Sequence, residues 1–235
     1  MFKRLVLGIT TAGAVTLGVY HWFFRPRHRR WGATDAELQQ SIPGDEEVKN
    51  PSFMTTRAVT INARPAEIWP WLVQLGIGRG GYYTYTWLPN MVGLRYRNAD
   101  TILPTCQYLE VGDTVPIDPR GVGFRVAAID PNRSLLLTVP DPNHPKLDVL
   151  ITTWAFLLQP LDSEHTRLIV RWRSNFREPL TYTAFAPVFF LVLDPLDFLM
   201  SRQMLLGIKQ RAELSHQEYL GSPRGVSSAK REERP

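Results

Sequence analysis

Between residues 57 and 81 the chain reads RAVTINARPAEIWPWLVQLGIGRGG. A strand, a proline-led helix and a glycine-rich exit follow one another there with almost no connecting chain, which restricts what can be built around them. Val59 and Ile61 alternate with Ala58, Thr60 and Asn62, the period of a half-buried strand. Pro65 suits a first helical position, because its φ is already helical and its missing N–H would be unpaired there anyway. Ile68, Leu72 and Leu75 then recur at helical spacing, with Trp69, Trp71 and Val73 widening the apolar coverage until Gly76 ends it. Pro70 lies inside this run, removes a backbone donor and crowds an earlier carbonyl, so the helix is expected to be short and kinked.

Strands are expected next at residues 109–113 with a tight turn, at 123–129, and at 134–139 after Asp130-Pro131-Asn132. Residues 151–159 and 166–176 read as a hairpin around Pro160-Leu161-Asp162-Ser163-Glu164. On that hairpin Trp154, Phe156 and Leu158 share a face, as do Leu168, Val170 and Trp172. Arg167, Arg171, Arg173 and Arg177 share the other face of the second strand. A dry face opposite a wet one predicts an antiparallel sheet covered on one side. Asp194-Pro195 opens a last helix, running to about Tyr219, with Met204, Leu205, Ile208, Ala212 and Tyr219 on one stripe. At standard rise it spans roughly 38 Å, enough to cross a whole sheet.

The chain has 235 residues and a formal charge of +5. Lys3, Arg4, Arg25, Arg27, Arg29 and Arg30 place six positive charges before residue 31 with no acid among them, so the remainder carries −1. The basic balance therefore gives no argument for nucleic-acid binding. Residues 5–24 contain no Asp, Glu, Lys or Arg, lie between basic flanks and end in Tyr20 and Trp22. Twenty residues make about 30 Å of helix, the thickness of a bilayer core. An uncleaved single-pass membrane anchor is the reading, against a signal peptide or a buried helix. No small-residue cleavage site follows the apolar run. The arginines after the span mildly favour a cytoplasmic globular domain.

The expected organisation is an anchor with its basic flank (1–31), a connector (32–52), one globular domain (53–220) and a disordered tail (221–235). Thr34-Asp35-Ala36-Glu37 matches a capping box that opens a short helix in the connector. Asp45-Glu46-Glu47 reads as a solvated face. Residues 184–193 are apolar but too short for a second span, and either pack or dip into the bilayer.

Gly76-Ile77-Gly78-Arg79-Gly80-Gly81 satisfies the pattern of a dinucleotide-binding loop. That loop needs a strand before it and a helix after it, whereas here a helix precedes and the aromatic run 82–87 follows. A flexible turn beside the Trp69–Trp71 helix fits better, with Arg79 as a polar group able to meet a ligand. The five histidines are scattered without ligand spacing, Cys106 has no activating neighbour, and no nucleophile elbow is present. No catalytic residue, metal or cofactor is expected on this basis.

The passage Ala58 to Gly76, the Arg79-Gly80-Gly81-Tyr82-Tyr83 run, Asn98-Ala99-Asp100, Val111-Gly112-Asp113 and the paired strands Thr152-Thr153-Trp154-Ala155-Phe156 and Thr166-Arg167-Leu168 resemble the SRPBCC or START-like superfamily. The likeness covers residues 53–220 and is to an uncharacterised bacterial branch. It implies an α+β helix-grip fold, a curved antiparallel sheet around a long C-terminal helix. It also implies a cavity for a small hydrophobic or lipid-like ligand, since relatives include lipid carriers, coenzyme Q-binding proteins and polyketide cyclases. Where that branch commonly carries acids after its tyrosine run, this chain has Thr86, Pro89 and Thr105-Cys106, so no acid–base role carries over. The expected function is membrane-anchored binding of such a molecule. The rivals are a cyclase- or aromatase-type enzyme and an interaction module with a solid core. The candidate ligand-binding residues are Trp71, Arg79, Tyr83, Tyr85, Trp87, Trp154, Phe156, Trp172, Met204 and Ile208.

Overall fold

A computed structural model of the chain describes residues 20–139, 150–176 and 192–221. Its strands are β1 (Phe53–Ile61), β2 (Thr114–Pro116), β3 (Gly123–Asp130), β4 (Ser134–Val139), β5 (Leu150–Pro160) and β6 (Thr166–Phe176). They form one antiparallel sheet in the order β1-β6-β5-β4-β3-β2. The helices are α1 (Arg25–Arg29), α2 (Asp35–Gln39), α3 (Pro65–Val73), α4 (Trp87–Met91) and α5 (Asp194–Gly221). A six-stranded antiparallel sheet with one long C-terminal helix is the helix-grip arrangement.

The β5–β6 register pairs Trp154 with Trp172, Phe156 with Val170 and Leu158 with Leu168, so the apolar alternation of both strands falls on one face. On that inner face Met204, Leu205, Ile208 and Ala212 of α5 are buried with Ile68, Trp71 and Leu72 of α3. The α5 stripe is thus the one read from spacing, although Tyr219's side chain lies outside the described residues. α3 stops at Val73 and keeps Pro70 inside it.

The outer face departs from expectation, because it is covered. Ile42 packs there against Ala58, Leu136, Ala155, Leu157 and Ile169 as a second apolar cluster. Around it the arginines of β6 are seated on the segment before β1. Arg171, buried, donates to Asp45 Oδ2 at 2.5 Å and to the carbonyl oxygens of Glu37 (2.7 Å) and Gln40 (2.9 Å). Arg173 lies 3.2 Å from Asp45, and Arg167 donates to Glu37 at 2.6 Å. Asp45 is therefore an ion-pair partner, not part of a solvated face. Thr34 and Glu37 do form the capping box of α2. Burial alone would raise Glu37's pKa, but the hydrogen bonds from Arg167 and Thr34 outweigh it and hold the carboxyl below its ordinary value.

Residues 109–113 are not a strand. Val111 is exposed in a turn, and pairing begins at Thr114, where Val115 is buried opposite Phe124. Of the expected transmembrane helix, residues 5–19 lie outside the described residues, and Tyr20–Phe24 form a π-helical turn running into α1. Among the described residues no helix is long and apolar enough to cross a membrane. The tail beyond Gly221 and most of residues 184–193 also lie outside the described residues.

Candidate functional site

Between the inner face of the sheet and the first half of α5 lies a cavity of about 320 Å³. That is at the lower end of ordinary ligand pockets. Its sheet wall is aromatic. Trp154 and Trp172 lie 5.3 Å apart between ring centroids, and Phe124 stands edge-on to both at 5.2 and 5.5 Å. Tyr82 stacks on Trp154 at 5.9 Å and on Tyr96 at 5.9 Å, closing a second side. Met200 and Met204 of α5 face these rings across the cavity. Unbranched thioethers and aromatic faces adapt to an apolar guest without demanding one shape.

The polar groups in the wall are few. Tyr82 donates its hydroxyl to the Pro116 carbonyl at 3.1 Å, and Thr84 donates to the Met200 carbonyl at 2.8 Å. Burial pushes the Tyr96 phenol up to about 12 and the Tyr82 phenol well above its usual value, so both keep their protons at neutral pH. The lining carboxylate is Asp197, on α5. Its Oδ2 lies 2.8 Å from Nη2 of Arg57, a buried side chain on the inner face of β1. Its Oδ1 accepts from Ser201 Oγ at 3.1 Å.

Of the ten candidate residues, Trp154, Trp172 and Met204 line this cavity. Phe156 and Ile208 are fully buried beside it in the core, Phe156 lying 4.9 Å from Trp154. Trp71 and Tyr83 form a separate buried contact, with the Tyr83 hydroxyl donating to the Trp71 carbonyl at 3.0 Å. Tyr85 and Trp87 are exposed. The run 82–87 cannot be extended, because Tyr83 sits at φ +54° and Trp87 opens α4. That bend turns Tyr82, not Tyr83, toward the cavity. Arg79 does not line it either, since its guanidinium donates to the carbonyls of Val73 (3.1 Å) and Cys106 (2.8 Å).

The glycine loop closes on itself. Gly76 and Gly81 exchange backbone hydrogen bonds of 3.1 and 3.0 Å, and a Cβ at Gly81 would collide with the Arg97 carbonyl. Glycine is required there by close packing and a φ of +80°. Among the described residues no three His, Cys, Asp or Glu side chains gather as metal ligands would.

Asp197 and Ser201 are the residues that spacing could have revealed. Continued toward the N-terminus, the stripe through Ile208 and Met204 passes through Ser201 and Asp197 at intervals of three and four. Arg57 likewise has the parity of Val59 and Ile61 on β1.

No family model matches the chain, and no curated protein matches it. Among solved structures it is similar to protein MLL2253 from Mesorhizobium loti, at 17% identity over 68% of this chain and 96% of that one, with a TM-score of 0.35. The Aha1 dimer from Colwellia psychrerythraea matches at 16% identity, 68% and 96% coverage and a TM-score of 0.36. A truncated norcoclaurine synthase from Thalictrum flavum matches at 13% identity, 67% and 91% coverage and a TM-score of 0.37. Likeness at this level carries no argument about ligand or activity. The helix-grip description rests on this chain's own sheet and helix.

Proposed function

We propose that this chain is a membrane-anchored protein that binds a small hydrophobic or lipid-like molecule in the cavity between sheet and α5. The observation that carries the reading is the aromatic and methionine wall around about 320 Å³ of unfilled space. A concave apolar pocket with few polar groups is the usual form of a small-molecule site, which favours binding over a solid interaction module. A cyclase-type enzyme has Asp197 as its candidate acid–base group. That carboxylate is already engaged by Arg57 and Ser201, which favours binding over catalysis.

Anchoring is supported by the apolar run 5–24 and by where it ends. Trp22, Phe23 and Phe24 are exposed immediately before α1. Arg25 and Arg29 of α1 reach the fully buried carboxylate of Asp194 at 2.9 and 3.0 Å, one helical turn before Asp197 in the cavity wall. An anchor leaving at Tyr20 would therefore hold the cavity close to the bilayer and raise the local concentration of a membrane-derived ligand. The charge distribution mildly favours the cytoplasmic side.

The test is organic extraction of the purified full-length protein followed by mass spectrometry, alongside Ser201→Phe, which places a ring in the cavity. A lipophile enriched in the parent protein over the variant at equal total lipid is the expected result. Equal lipid profiles from the two proteins would refute binding in this cavity. Release of the full chain from membranes by high salt alone would refute the anchor.

A further inference from the structure

The carboxylate in the cavity lining stands on α5. Asp197, Ser201 and Met204 follow one another along the cavity side of α5, facing the Trp154–Trp172 wall. The four hydroxyls of the lining belong to Tyr82, Thr84, Tyr96 and Ser201, and three of them already donate within the protein: Tyr82 to Pro116, Thr84 to Met200 and Ser201 to Asp197. Tyr96 stands with Tyr82 in the aromatic stack, and what the α5 side offers through Asp197 is acceptor capacity. A carboxylate oxygen takes about two hydrogen bonds, and Asp197 Oδ1 receives one from Ser201. The Asp197 side chain keeps 28% of its surface accessible, whereas its partner Arg57 keeps 3%.

Asp197 and Arg57 balance one another as a pair. Arg57 sits behind Asp197, held by its Nε donating to the His28 carbonyl at 3.0 Å and by the Phe198 ring 5.7 Å from its guanidinium carbon. A ligand anion would meet Asp197 first, with the compensating guanidinium shielded behind it. A ligand ammonium would add an uncompensated positive charge to an ion pair that already sums to zero, at the desolvation cost of a buried charge. A neutral donor meets neither penalty.

We propose that Asp197, supported by Ser201 and Arg57, is a head-group site selecting uncharged ligands with a hydroxyl or phenol donor and a flat or unsaturated apolar body. The donated proton goes to Asp197 Oδ1, and the body lies among Trp154, Trp172 and Phe124. This assignment rests on the cavity being a binding site, and the experiment separates the two claims.

Four naphthalene probes of one shape are titrated into the full-length protein with tryptophan fluorescence as readout: 2-naphthol, 2-methoxynaphthalene, 2-naphthoate and 2-naphthylmethylamine. The hydroxyl probe is expected to bind about tenfold tighter than its methyl ether, the factor a hydrogen bond to a charged acceptor supplies. The anionic and cationic probes are expected to bind no better than the ether. The double variant Arg57→Met/Asp197→Leu removes both charges together and leaves neither orphaned. In it the naphthol preference is expected to vanish while the ether still binds. Preference for either charged probe, or a naphthol preference unchanged in the double variant, would overturn the head-group assignment while leaving the cavity as a binding site. Failure of all four probes to bind would overturn the binding reading and this assignment with it.

Discussion

Gly207 on α5 lies against the backbone of Tyr83 with no room for a side chain: a Cβ there would stand 2.3 Å from the Tyr83 carbonyl oxygen. The contact is backbone on backbone, so no side-chain rotation relieves it. It seats the long helix on the loop that carries Tyr82 into the cavity wall, and Arg211, one turn on, covers the Tyr83 ring at 5.1 Å. Gly207→Ala is expected to destabilise the fold by about 1–3 kcal/mol, the usual cost of overpacking, despite alanine's better helix propensity. Urea unfolding measures it, and a neutral or stabilised variant would show that the loop yields.

Trp172 and Phe156 both belong to the aromatic face, yet they are expected to respond differently. Phe156 is fully buried and outside the cavity lining, so Phe156→Ala should cost about 3–5 kcal/mol. Trp172 is half-buried and lines the cavity. Trp172→Ala should weaken retention of the bound lipophile more than it lowers the melting temperature. Equal loss of both in the Trp172 variant would make its ring ordinary core.

Acid should loosen the segment on the outer face. Glu37's folded pKa lies below its ordinary 4.5, so its contribution is complete above that value and is lost as pH falls through the folded pKa. The stability difference between the parent protein and Glu37→Gln is therefore expected to be constant from neutral pH down to about 5 and to shrink below 4.5. Denaturant midpoints measured at intervals across that window give the result. A difference that grows on acidification would contradict the depressed pKa.

Asp194 is fully buried with the guanidinium groups of Arg25 and Arg29 on its Oδ2. Asp194→Asn leaves both arginines facing a neutral group, and breaking a buried pair in this way costs roughly 3–5 kcal/mol. Because these contacts hold α1 in place, faster trypsin cleavage after Arg27 and Arg29 is the expected local signature. Unchanged cleavage in a destabilised variant would mean that α1 is held by other contacts.

Much of the sheet was legible because strand alternation and turn residues agree locally. Ser134–Val139 and Thr166–Phe176 have the bounds that pattern assigns, each beginning just after a polar turn. Residues 109–113 misled because Val111 and a glycine turn imitate a strand end, while burial begins only at Val115. The arginines of β6 misled for another reason. Alternating charge reads as a wet face, and nothing local shows that Glu37, Asp45 and Ile42 will return across it from more than a hundred residues away.

In the site, the part carried by regular periodicity was visible: Trp154 and Trp172 by strand parity, Met204 by helical spacing. Tyr82 was hidden by one left-handed residue, since the positive φ of Tyr83 breaks the alternation that would have put Tyr83, Tyr85 and Trp87 together. Asp197 was open to the same spacing argument as Met204. An acid in the first turn of a helix reads first as an N-terminal dipole partner, and spacing alone does not show that Asp197 lines the cavity.

The segment crossing the outer face also sets an order of events. Arg25 meets Asp194 across 169 residues, and Arg171 meets Asp45 across 126. Contacts of such sequence separation form slowly, and N-terminal parts of a chain are synthesised first. Residues 25–52 leave the ribosome long before β6 and α5 exist to receive them. Their apolar Ile42 and the acids Glu37 and Asp45 then wait without partners, and a nascent chain halted before residue 194 can assemble most of its sheet but cannot fasten α1 to the start of α5.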